Sequence, residues 1–214
     1  MGRVLALLYD RLGAASEAAG MREERRRLLG RATGEVLEIG AGTGLNLLLY
    51  PTAVTGVVAV EPDRHMARRL RRKAQEAPMP VEIVSAPAEA LALPTGSFDT
   101  VVGTLVLCTV HDPAVVLAEV ARLLRPGGRY LFLEHVRAHD ARLARWQDRL
   151  APLWGVIGGG CHPNRATLAS LRASPLTVAE VHEGRIPKAA PLVRPMITGV
   201  AERQENPAAD LAER

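Results

Sequence analysis

The sequence predicts an α/β chain: a doubly wound, mostly parallel sheet with helices on both faces. Three observations carry this. Short apolar runs rich in β-branched residues alternate with stretches of helical periodicity. The run at 36–39 passes directly into Gly40-Ala41-Gly42-Thr43-Gly44, the pattern of a strand feeding a tight turn. A second apolar run, 57–60, ends in an acid, Glu61, about 20 residues beyond that turn.

The elements follow in order. Residues 4–29 show helical periodicity, with Leu5, Leu8 and Leu12 on one stripe. They form an N-terminal helical cap over 1–30, and the weaker 13–20 predicts a break into two helices. Thr33-Gly34 marks entry to the first strand. A short helix is expected after the glycine turn, to about Tyr50, stopped by Pro51. Strand two covers 57–61. Asp63 is the cap candidate for a basic helix over 63–76, which the Pro78/Pro80 pair ends. Strand three is 81–84. Pro94-Thr95-Gly96-Ser97 makes a turn into strand four, 98–104. A helix over 113–124 carries proline in its first turn. Arg125-Pro126-Gly127-Gly128 stops it before strand five, 129–136. Then come a helix over 140–150, a glycine-dense loop over 155–160, a helix over 167–173, a strand over 177–182 and a last strand over 196–201. The first five strands are expected to be parallel. The main domain is 31–203, and 204–214 reads as a polar tail that frays.

Bulk properties narrow the function. A chain of 214 residues is one domain, large enough to bury a substantial core. Its 48% apolar and 23% charged residues are ordinary for a globular domain. The net charge is +4, yet only Lys73 and Lys188 are lysines. The arginine clusters at 22–27 and 68–72 are interleaved with glutamate or apolar residues, which fits solvated helix faces better than a nucleic-acid stripe. Aromatics at 3% leave few platforms for stacking bases, so no nucleic-acid partner is expected. Cys108 and Cys161 stand alone, without a C-x-x-C partner, which argues against a structural zinc site or a disulfide framework. Residues 4–9 are too short to span a bilayer and no cleavable signal is visible, so a cytoplasmic setting without a stable membrane anchor is expected.

The glycine spacing selects the ligand. A dinucleotide turn needs G-x-G-x-x-G, but position 45 is leucine; a P-loop needs a lysine that this turn lacks. Glu38, at the end of the first strand, would repel a pyrophosphate and suits an ammonium group. S-adenosylmethionine offers an ammonium, a sulfonium, a ribose diol and no phosphate. Glu61 is placed to take a ribose hydroxyl, although an acid there also suits the start of the next helix.

With these residues in hand, the chain resembles the class I S-adenosylmethionine-dependent methyltransferases, a Rossmann-like fold. The likeness is strongest over 30–136. Glu38-Ile39-Gly40-Ala41-Gly42-Thr43-Gly44 looks like their first motif. Val60-Glu61-Pro62-Asp63 with Met66 looks like the second, which implies that Glu61 takes the ribose and Met66 packs on adenine. Gly96-Ser97-Phe98-Asp99 resembles the D-G-S-F-D turn, and Leu124-Arg125-Pro126-Gly127-Gly128 the L-[KR]-P-G-G corner. Where many relatives carry G-D-A, this chain has Ala86-Pro87-Ala88-Glu89, so backbone, Glu89 or packing must serve the adenine. The resemblance implies a cofactor set of Glu38, Gly40, Ala41, Gly42, Thr43, Gly44, Asn46, Glu61, Pro62, Met66, Ala88, Glu89, Thr104 and Leu105.

Within that family, of the methyltransferase type 11 kind, the chain is most similar to the small methyltransferase-like thiol methyltransferases. The likeness runs through residues 104–110, Leu133-Glu134-His135-Val136, Gly159-Gly160-Cys161 with Asn164-Arg165, and Leu192-Val193-Arg194-Pro195. Those relatives often carry an N-terminal membrane anchor, which is not expected here. Ubiquinone- and phospholipid-type methyltransferases share the core motifs. The resemblance implies a small, rather apolar methyl acceptor, favoured as a thiol, with oxygen, nitrogen and lipid head-group acceptors as alternatives. A catalytically idle cofactor-binding partner protein is the reading outside enzymology.

Methyl transfer is an in-line displacement governed by positioning, and a thiol acceptor needs little help because its thiolate is a strong nucleophile. The acceptor belongs outside the carboxyl ends of strands four and five. His135 is the candidate catalytic helper, as a base or an orienting group, against a purely structural role. Tyr9, Cys108, His111, His135, Cys161 and Asn164 are the candidate acceptor-side residues. His111-Asp112-Pro113 also reads as a helix start, and Cys108 as a small buried apolar residue. Cys161-His162 shows no third ligand in the sequence, so no metal is expected.

Overall fold

The computed structural model describes residues 13–204. The expectations for residues 4–12, including Tyr9, and for the tail over 205–214 lie outside the described residues.

Seven strands form one sheet in the order β3-β2-β1-β4-β5-β7-β6. These are β1 (Gly34–Ile39), β2 (Val54–Val60), β3 (Val81–Val84), β4 (Phe98–Thr104), β5 (Leu124–His135), β6 (Thr177–Arg185) and β7 (Pro195–Glu202). The first five pair in parallel, as the alternation predicts, and β7 joins β5 and β6 antiparallel. The helices are α1 (Arg22–Leu29), α2 (Arg64–Ala74), α3 (Pro113–Leu123), α4 (Ala141–Ile157) and α5 (Thr167–Arg172).

The central strands are buried on both faces, which explains their nearly unbroken apolar runs. Alternate residues feed different cores. Leu37, Ile39, Val101, Leu117 and Phe132 meet on one side; Val36, Leu28, Leu29, Val57 and Leu131 meet on the other. Asp63 caps α2 by accepting from the amides of His65 and Met66, and Asp112 caps α3 through the Ala114 amide. The break expected within 13–20 falls at Gly20, whose φ of 133° interrupts the chain just before α1.

Several boundaries differ from the sequence expectation. No regular helix follows the glycine turn; 43–50 is a string of turns closed by short-range bonds such as Leu49 N to Asn46 O, 2.8 Å. Side chains decide this, because Asn46 and Tyr50 both turn inward onto Glu38. Helix α4 runs past the expected stop at 150, through Pro152, to Ile157. Proline removes one ladder bond there, and the affected carbonyl belongs to Asp148, an exposed residue. Strand β5 begins at Leu124, ahead of the Arg125–Gly128 corner, which forms a register shift against β4 instead of a clean break. β2 and β6 are also longer than expected.

Candidate functional site

The strand order reverses beside β1, whose neighbours β2 and β4 lead the chain to opposite sides. A crevice opens there, outside the carboxyl ends of the strands. It holds a cleft of about 310 Å³ lined by Gly40, Gly42, Glu61, Pro62, Met66, Ala88, Glu89 and Leu105, among others. A hollow of about 30 Å³ next to it is lined by Arg25, Glu38, Ala41, Thr43, Asn46 and Thr104, and shares Gly40 and Gly42 with the cleft.

Glycine is required at 40. Its φ is 61°, and a Cβ would lie 2.3 Å from Val106 Cγ2. At Gly42, φ is 59° and a Cβ would meet nothing nearer than 3.9 Å, so this position presents bare backbone to the cleft. Glu61 fastens the loop: one carboxylate oxygen accepts from Gly42 N and the other from Asp63 N, each at 2.8 Å. Burial raises the Glu61 pKa against these two bonds.

Glu38 sits in the wall of the hollow, 1% exposed. It accepts from Asn46 Nδ2 at 2.9 Å and from the Tyr50 hydroxyl at 2.8 Å. Burial outweighs these bonds and the nearby Arg25, and pushes the carboxyl up to about 7. Arg25 reaches in from α1, donating from Nη1 to Thr104 Oγ1 at 2.9 Å and to Asn46 Oδ1 at 3.1 Å. Its Nε pairs with Glu17 at 3.0 Å. The expectation that the 22–27 cluster is wholly a solvated face is therefore corrected at Arg25, which is buried.

Leu105, just beyond β4, adopts φ 58°, the left-handed region that a leucine rarely occupies. Glu134, fully buried, holds the following turn by accepting from Val106 N and Leu107 N, each at 2.9 Å. Its carboxyl is pushed up to about 7 by burial. Glu89 accepts from His111 N at 2.8 Å, so these two cleft residues fix each other. Gly44 is not in the cleft wall; it packs beside Leu70.

The acceptor-side residues divide. His111 lines the cleft, whereas Cys108, His135 and Cys161 form a buried cluster behind its wall. His135 Nε2 lies 2.8 Å from Cys161 Sγ, and Trp154 Nε1 donates to the same sulfur at 3.3 Å. Cys108 Sγ stands beside Cys161 in this cluster, and its thiol donates to Leu105 O at 3.4 Å. The neighbouring Cys108, with His135 beside it, lowers the Cys161 pKa, while Cys108 is raised. His135 thus meets Cys161 and does not stand in the cleft wall. The cluster also supplies the third ligating group that the sequence did not reveal at Cys161. Asn164 is not brought to the cleft: it donates to Asp148 at 3.1 Å on the outer surface.

Arg25, Tyr50, Glu134 and Trp154 escaped the sequence-based site set. Arg25 left a usable signal: with Met21, Leu28 and Leu29 it falls on one helical stripe, and all four are buried.

Comparison with known proteins now bears on this crevice. A family model described as a methyltransferase domain matches residues 37–132. The human thiol S-methyltransferase TMT1A is 34% identical over 170 residues, covering 78% of this chain and 69% of that protein. The chain belongs to the S-adenosylmethionine-dependent methyltransferases. The human thiol S-methyltransferase TMT1B is 41% identical over 146 residues, 65% of this methyltransferase and 59% of its relative, so the chain spans about three-fifths of TMT1B. A geranyl diphosphate methyltransferase structure in complex with S-adenosylmethionine superposes with a TM-score of 0.68 at 15% identity, over 86% of this chain and 85% of the other; it shares the fold.

The cofactor of this family, S-adenosylmethionine, fits the residues present. Acids stand at both strand tips, Gly42 offers open backbone between them, and no lysine lines either cavity.

Proposed function

We propose that this methyltransferase methylates the sulfur of a small, rather apolar thiol. The observation that carries the proposal is the far wall of the cleft. Leu105, Val106 and Val110 make it largely apolar, its Thr109 hydroxyl is spent on Val106 O, His111 and Glu89 are the polar residues beside it, and it is backed by a histidine–cysteine cluster, a setting that favours an apolar acceptor. The relatives named thiol S-methyltransferases support the same acceptor.

When bound, the cofactor supplies an electrophilic methyl group on a sulfonium. The rest falls to the chain. Glu38 suits the ammonium and Arg25 the carboxylate of its amino-acid end. Glu61 suits the ribose hydroxyls, while Met66, Pro87 and Ala88 offer packing for the adenine. Catalysis is mainly positioning. His135 assists from behind the wall, through Cys161, without touching the acceptor.

The setting is read as cytoplasmic, with no nucleic-acid partner. Among the described residues no helix is long and apolar enough to cross a membrane.

The test is a panel of small thiols, phenols and amines incubated with the protein and labelled cofactor, with products read by mass spectrometry. Thioether products alone, with a rate that rises with the thiolate fraction of each acceptor, are expected. Methylated phenols or amines in place of thioethers would refute the proposal. His135→Ala should lower turnover more than cofactor affinity; if neither changes, the histidine is structural.

A further inference from the structure

We propose that Cys108, His135 and Cys161 bind a zinc ion whose fourth position takes the sulfur of the acceptor. The acceptor half rests on the thiol-methylation reading above; the metal site does not.

The ligand atoms of the three residues lie within 4.8 Å of one another. A tetrahedral zinc with bonds of about 2.3 Å to sulfur and 2.0 Å to nitrogen spaces its ligand atoms by roughly 3.5 Å. The Nε2 to Sγ separation of 2.8 Å between His135 and Cys161 must open slightly. Cys161 can yield, because it follows Gly158-Gly159-Gly160. The ligands arrive from three places: the loop after β4, the last residue of β5 and the turn after α4. They are already stitched together, since His162 N donates to Cys108 O at 2.8 Å and Arg165 donates to Leu107 O.

The chemistry is selective. Two thiolates and an imidazole suit zinc. They also balance it, because two negative sulfurs and a neutral ring leave a dication with no net charge, which a buried site tolerates. All three residues are buried. The Trp154 N–H bonded to Cys161 Sγ is the kind of outer contact that steadies a metal thiolate. Three protein ligands, not four, is the pattern of zinc sites that keep a position for substrate. The three ligands stand behind the cleft wall, and the fourth position is assigned to that side because the wall is made of their sequence neighbours: Leu105, Val106 and Thr109 around Cys108, and Gly159 two residues before Cys161.

The step balances. The S–H bond of the acceptor breaks as its sulfur joins the zinc, and the proton leaves to solvent. That sulfur then supplies the electron pair for the new carbon–sulfur bond, while the methyl–sulfonium bond breaks toward the cofactor's sulfur. No oxidant or reductant is needed.

The experiment uses the full chain, reduced, freed of metal with a chelator and titrated anaerobically with Co²⁺ and then Zn²⁺. One equivalent of cobalt should bind, with thiolate charge-transfer bands and the intense visible bands of a tetrahedral site, and zinc should displace it. Cys108→Ala and His135→Ala should each weaken uptake at least about 100-fold. Cys161→His, which keeps a ligand, should retain uptake with an altered spectrum. Circular dichroism melts establish that each variant is folded. Adding a small alkyl thiol, without cofactor, should shift the cobalt bands. Absence of saturable uptake, uptake equal in all variants, or a Cys108–Cys161 disulfide that persists in excess reductant overturns the site. A cobalt spectrum indifferent to the thiol overturns the acceptor assignment alone, and the product assay then judges thiol methylation independently.

Discussion

The Glu38 carboxyl makes cofactor affinity depend on pH, and the structure fixes the sign. Burial raises this group from the ordinary 4.5 to about 7, against the bonds from Tyr50 and Asn46 and the charge of Arg25; Glu61 adds a smaller raising effect. In the free protein it is therefore largely protonated at pH 5.5. A ligand ammonium favours the carboxylate, so binding at low pH must expel a proton. If only the ionised form binds well, affinity should rise roughly 25-fold between pH 5.5 and 7.5, about 2 kcal/mol, and then level off. S-adenosylhomocysteine is the suitable probe, because it keeps the ammonium and lacks the reactive methyl. Calorimetry in two buffers of different ionisation enthalpy reads affinity and proton release together. Glu61 also faces the cleft with a raised pKa, so Glu38→Gln is needed to isolate the effect. That variant should lose the steep dependence and sit near the low-pH affinity of the parent at every pH. A flat profile in the parent, or an unchanged slope in Glu38→Gln, would refute the argument.

The same shift acts on stability with the opposite sense. A carboxyl whose pKa is higher folded than unfolded favours the native state when protonated. Its contribution is full below about 4.5 and is lost as pH rises through about 7. The full difference amounts to about 3 kcal/mol, of which about 2 kcal/mol falls between pH 5.5 and 7.5, so the ligand-free protein should melt lower at pH 7.5 than at pH 5.5. Glu134, also pushed up to about 7, adds in the same direction but lines neither cavity.

Two further outcomes are expected. Gly40→Ala places a Cβ in a left-handed conformation 2.3 Å from Val106 Cγ2, which should cost about 2–4 kcal/mol in urea unfolding; adding Val106→Ala should recover part of that loss, and full additivity of the two changes would contradict the clash. Arg25→Ala removes the partner of Asn46, Thr104 and Glu17, and should lower stability by about 2–3 kcal/mol and S-adenosylhomocysteine affinity at least tenfold; Arg25→Lys, with no planar fork, should restore only a fraction, and full restoration would show that charge alone matters.

What could be read from the chain, and what could not, divides along a physical line. Local rules carried the fold. The glycine turn, the two strand-tip acids, the Asp63 and Asp112 caps and the antiparallel last pair's approximate positions all depend on neighbours in sequence, so periodicity and turn chemistry reveal them. The failures come where a side chain overrules its own segment. Residues 43–50 carry a helix-compatible pattern, but the buried carboxylate of Glu38 draws in Asn46 and Tyr50 and breaks the ladder. Arg25 lies in an arginine-rich run whose average is a solvated face, and only its place on the stripe of Met21 and Leu28 betrays that it points inward. The sulfur cluster is illegible for a different reason: Cys108, His135 and Cys161 sit on three separate elements, and no spacing rule links them until the sheet order brings β4 beside β5. The cofactor half of the crevice is centred on one continuous strand–turn–strand run, with Arg25, Met66 and Ala88 added from elsewhere, whereas the acceptor half is assembled by tertiary packing. That asymmetry is why the donor could be inferred from sequence well before the acceptor, whose side of the crevice rests on one buried triad of side chains.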